Sequence, residues 1–79
     1  MELLGRIEIN PQILKGKAII KGTRLSVQYI LGLLASGADF EEILQEYKTL
    51  QREDIFACLL FASRALDNQY FAPFSKDVA

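Results

Sequence analysis

Arg52-Glu53-Asp54-Ile55-Phe56-Ala57-Cys58-Leu59-Leu60-Phe61-Ala62-Ser63-Arg64-Ala65-Leu66-Asp67-Asn68 is the longest helical pattern in the chain, and its reading decides the fold. Glu53 and Asp54 stand in the first turn, where carboxylates favour the positive end of the helix dipole. Ile55, Leu59, Ala62 and Leu66 recur at helical spacing and form a primary stripe. Phe56, Leu60 and Phe61 are apolar as well, so the helix is hydrophobic on more than one face and has to be covered on more than one side. This places it at the centre of the fold with Ile55, Leu59 and Ala62 buried. It also leaves a surplus of apolar surface for a second copy or a partner, with Phe56, Leu60 and Phe61 as candidate contacts. Beyond it, Pro73 stops the helix, and Tyr70, Phe71 and Phe74 add three aromatics that dock on the domain's own core or on a partner.

Working back toward the N-terminus, Asp39 with Glu42 three residues on is a capping-box pattern, and Phe40, Ile43, Leu44 and Tyr47 carry a short second helix. Before that, Val27, Ile30, Leu31 and Leu34 form the stripe of a first helix that starts at Ser26 and stops at Ser36-Gly37. Further upstream, Arg6-Ile7-Glu8-Ile9 alternates and breaks at Asn10-Pro11, and Ala18-Ile19-Ile20 follows as a second apolar run. Two short strands, paired as a hairpin, fit this segment, with Gly16 and Gly22 at the turns. The pattern predicts one mainly α domain over residues 1–79. Residues 6–25 form a β and loop element, residues 26–68 a three-helix core, and residues 69–79 a tail.

The 79 residues leave room for one core, and 51% hydrophobic content is enough to build it. There is no histidine and one cysteine. That removes the usual zinc, haem, iron–sulfur and Cys/His or Ser/His arrangements, so no cofactor and no metal are expected. Cys58, inside an apolar run, reads as a small buried hydrophobe rather than a reactive thiol. An acid at position 2, where a secretory leader needs bases, and the lack of a bilayer-length apolar run point to a cytoplasmic protein without a membrane role. The formal charge is −1 overall. It is unevenly spread: residues 1–24 carry five bases against two acids, so attraction to a polyanion has to come from that third.

The segment Gly16-Lys17-Ala18-Ile19-Ile20-Lys21-Gly22-Thr23-Arg24 is the most informative motif. Its glycines, bases and hydroxyl could grip an anion, which makes Lys17, Lys21, Thr23 and Arg24 candidate nucleic-acid or anion contacts. It is not a Walker A loop, because Lys21 precedes the second glycine. Turns plus a strand, with Arg24 positioning the helix start, is the plainer reading. Arg52, at the start of the third helix, is a further candidate base contact. The acid pairs Glu41/Glu42 and Glu53/Asp54 point in different directions on a helix and read as caps and solvated charges, so an enzyme is not expected.

Ile9-Asn10-Pro11, Gly16-Lys17, Ile20-Lys21-Gly22-Thr23-Arg24-Leu25-Ser26-Val27, Gly37, Glu41-Glu42-Ile43-Leu44, Tyr47 and Asp54-Ile55 together resemble the small-protein family known as domain of unknown function 433. The family usually carries proline where this chain has Ala18 and Lys48. The resemblance implies a three-helix, helix-turn-helix-like bundle of homeodomain or winged-helix type with a short N-terminal β element. It also implies an antitoxin-type protein-binding module that neutralises a PIN-like ribonuclease toxin and autoregulates by binding DNA. Two alternatives stand beside it: a stand-alone helix-turn-helix DNA-binding regulator, and a structural homodimeric domain with no nucleic-acid role. DNA binding ranks below protein binding, because Glu41, Glu42, Gln45 and Glu46 on the second helix would repel phosphates. A homodimer is expected on the apolar surplus of the third helix or the tail.

Overall fold

A computed structural model describes residues 2–67 of the chain. Tyr70, Phe71 and Phe74 lie outside the described residues. After a turn of 3-10 helix at Leu4–Arg6, strands β1 (Ile7–Ile9) and β2 (Ala18–Ile20) precede helices α1 (Val27–Ala35), α2 (Phe40–Glu46) and α3 (Arg52–Ala65). The fold is mainly helical, with three helices packed on a two-stranded N-terminal hairpin.

The hairpin is antiparallel, with Ile7 opposite Ile20 and Ile9 opposite Ala18. Ile19 and Ile20 are both buried, because Ile19 also bridges to Ser26 and the Ile20 N–H donates to the Leu25 carbonyl at 2.9 Å. The second strand is therefore covered on both sides. Ile9 on β1 is exposed.

Each helix begins on a side-chain acceptor. Ser26 Oγ accepts from the Tyr29 N–H at 2.9 Å. At α2 the capping box is reciprocal: Glu42 N–H donates to Asp39 Oδ1, and Asp39 N–H donates to Glu42 Oε1, each at 2.9 Å. At α3, Asp54 Oδ2 accepts from the Gln51 N–H at 2.8 Å. Helix α1 ends in a Schellman arrangement: Gly37 at φ 105° donates to the Leu34 carbonyl, and Ala38 donates to the Leu33 carbonyl.

The core consists of Ile20, Val27, Ile30, Ile43, Leu50, Ile55 and Cys58, with Phe61 and others packed against it. Helix α3 lies on α1, on the hairpin and on the Leu4–Arg6 turn. It is central, as its length suggested, but it is rotated from the expected face. Its buried residues are Asp54, Ile55, Ala57 and Cys58. Leu59 is 41% exposed and Leu66 61% exposed, and Ala62 is only partly covered. The reason lies in what flanks the stripe. Small Ala57 and Cys58 let α1 come close, and Asp54 is drawn inward by Arg6, whose Nη1 donates to Asp54 Oδ1 at 3.0 Å and to Gln51 Oε1 at 3.1 Å. With about 100° between successive residues, Leu59 then swings out to the side of Phe56. Phe61, expected on the outer face, turns inward instead.

No described helix is long and apolar enough to cross a membrane.

Candidate functional site

An open groove of about 570 Å³ lies where the hairpin connection meets the start of α1. Leu14, Lys15 and Lys17 come from the connection, Arg24 from the loop before α1, Tyr29 from the first turn of α1 and Tyr47 from the end of α2. The connection reaches the groove through three successive left-handed residues, Leu14 (φ 49°), Lys15 (φ 57°) and Gly16 (φ 83°). Only the last is glycine, and each of the other two costs about 1–2 kcal/mol of backbone strain.

The loop before α1 is built by Thr23. Its hydroxyl donates to the Ile20 carbonyl at 2.7 Å and accepts from the Leu25 N–H at 3.0 Å. Gly22 makes this turn at φ 85°. Both hydrogen bonds of the Thr23 hydroxyl go to the backbone, so Thr23 shapes the loop and its one O–H is already engaged.

The two tyrosines form a unit. Their hydroxyls are 2.6 Å apart, and their rings stand edge to face at 85° with centroids 6.1 Å apart. The hydrogen bond to Tyr29, with some help from burial, holds the Tyr47 phenol above its ordinary pKa.

Of the bases expected to contact an anion, Lys17 and Arg24 line the groove and are joined by Lys15. Among the described residues none of the three is ion-paired, and Lys17 Nζ has only a 3.5 Å contact with Gln28 Oε1. Lys21 is exposed but does not line the groove. Arg52 is occupied elsewhere: it pairs with Glu41 and lies over the Phe40 ring, 5.4 Å from its centre. Sequence reasoning missed Lys15, Tyr29 and Tyr47. Nothing in the spacing of 29 and 47 signals that two helices bring them together.

A second surface runs along the outer side of α3. Phe56 and Leu59 are exposed, 44% and 41%, beside half-buried Leu60. Phe56 meets Phe40 edge-on with ring centres 5.3 Å apart. Glu41, Glu42, Gln45 and Glu46 on α2 are exposed. Cys58 is fully buried, and burial, followed by the nearby Asp54 charge, pushes its thiol up to about 12. Among the described residues no group of three or more His, Cys, Asp or Glu could hold a metal ion.

Three helices on a short two-stranded hairpin define a small, mainly helical domain. The chain belongs to the family described as "Protein of unknown function (DUF433)", whose model matches residues 7–62. It is similar to a DUF433 member protein from Anabaena variabilis ATCC 29413 of known crystal structure, with a TM-score of 0.75 and 29% sequence identity. That match covers 78% of this chain and 61% of the other, so this chain spans less than two thirds of that protein. No curated protein matches it.

Proposed function

We propose that this chain is an antitoxin-type protein-binding module that engages a PIN-like ribonuclease through the outer face of α3, and is not itself an enzyme. The observation that carries the reading is the exposed run of Phe56, Leu59 and Leu66 on one side of the helix, with only small Ser63 between them. Exposed aromatic and leucine side chains on one rigid element are the usual anchors of a protein interface. The same face supports a homodimer when no partner is present. The acidic outer side of α2 counts against duplex DNA as the main ligand, and autoregulation by DNA is the weaker part of the reading.

Purifying the chain from its own cells, with identification of what accompanies it, tests the proposal. A PIN-type ribonuclease is expected with the wild type and not with the double variant F56E/L59E. A wild-type chain that arrives without a ribonuclease, or a variant that keeps it, removes the reading.

A further inference from the structure

We infer that the groove at the start of α1 binds a nucleoside phosphate, its phosphates held by Lys15, Lys17 and Arg24 and its base laid against Tyr29. The site is separate from the α3 face and stands or falls independently of the antitoxin reading.

The charge comes first. Three cations from two loops line one concavity, with no acid among its lining residues and no ion pair to any of them among the described residues, in a chain whose net charge is −1. Like charges gathered around a concave surface repel one another and focus a positive field outward, so a multiply charged anion is the fitting counterpart. Arg24 adds a planar fork that can take two oxygens of one phosphate.

The walls supply the rest. A free phosphate or a carboxylate needs no ring wall, yet Tyr29 lines the groove while 46% exposed, with Leu14 and Leu25 alongside. An exposed aromatic beside a basic rim is the arrangement on which nucleobases stack. The Tyr29 and Tyr47 hydroxyls share one proton between them in their 2.6 Å contact, which leaves the other O–H free to donate to a base or a sugar. About 570 Å³ suits a small molecule. Lys15 reaches the rim only through a left-handed backbone at φ 57° and ψ 34°. The strain is thus concentrated in the segment that presents a cation to the ligand.

The phosphate could belong to a free nucleotide or to the end of a single strand, so both are used as probes. The full chain is titrated with ADP, adenosine, pyrophosphate and a 5′-phosphorylated single-stranded tetranucleotide, and binding is followed by amide NMR shifts. ADP is expected to give saturable shifts at residues 14–17, 24–29 and 47, with adenosine and pyrophosphate each about tenfold weaker or worse. K17A and R24A, at exposed positions, should each weaken ADP by about tenfold without altering the rest of the spectrum. Y29L should weaken ADP and leave pyrophosphate unchanged. A tetranucleotide more than about tenfold tighter than ADP assigns the site to a strand end, and one no tighter assigns it to the free nucleotide. The inference is overturned by the absence of saturation at millimolar ADP, by shifts confined to α3, by ADP affinity indifferent to K17A and R24A, or by pyrophosphate binding as well as ADP.

Discussion

Lys15 occupies a backbone conformation in which a glycine would be at ease, and it does so on the rim of a basic groove. Lys15→Gly relieves the strain but loosens the unfolded chain, so it should stabilise the domain by about 0.5–1 kcal/mol in a urea titration. The same change should weaken nucleotide binding, and a variant that loses stability would show that the left-handed turn is held by the lysine side chain itself. Cys58 makes the opposite point, since its chemistry is suppressed. With the thiol raised from 9.0 to about 12 by burial and by Asp54, it should resist alkylation at pH 8 until the protein unfolds. The unfolded thiol loses its proton above about pH 9 while the folded one keeps it, so its stabilising contribution is complete below pH 9 and falls away between 9 and 12. Cys58→Ala should therefore show a shallower alkaline loss of stability than the wild type, and parallel curves would contradict this.

Within α3, inner and outer sides separate sharply. Ile55, with no exposed surface, should cost about 2–5 kcal/mol when cut to Ala, whereas Leu59→Ala, compared in the monomeric F56E background, should cost under about 1 kcal/mol. Equal losses in that background would mean that Leu59 packs within its own domain. The existence and starts of the helices and the end of α1 were legible from the chain, because capping is local chemistry: Ser26, Asp39 with Glu42, and Gly37 each announce a boundary within a few residues, whereas α3 ends at Ala65 rather than at the expected Asn68. The rotation of α3 was not legible. It depends on Arg6, far away in sequence, pulling Asp54 inward and on the smallness of Ala57 and Cys58, while a count of large apolar residues favours Leu59. The groove was half legible for the same reason. Lys17 and Arg24 sit in a conspicuous basic motif, but Tyr47 looks like an ordinary member of the second helix's stripe, and Tyr29 stands off the stripe of the first, until the helices are packed together.

At the scale of the whole molecule, the α3 ridge should make the free chain a twofold dimer by light scattering, and F56E/L59E should run as a monomer of unchanged helicity. A monomer both for the full chain and for a chain ending at residue 68 would rule the dimer out. Duplex DNA should bind weakly and lose affinity steeply with salt, since the bases cluster in one third of an acidic chain. Tight sequence-specific binding at physiological salt would instead favour a DNA-binding regulator. The pair between Arg6 and Asp54 joins positions 48 apart in the chain, and it sets an order of events during synthesis. Two three-residue strands do not hold together alone, and their anchor is the first turn of α3. During synthesis Arg6 is made 48 residues before Asp54. Until then Ile7 and Ile20 lack the α3 side chains that share their core. A chain that stops before Arg52 should therefore be cut by protease faster than one that carries α3, which pulse proteolysis would show.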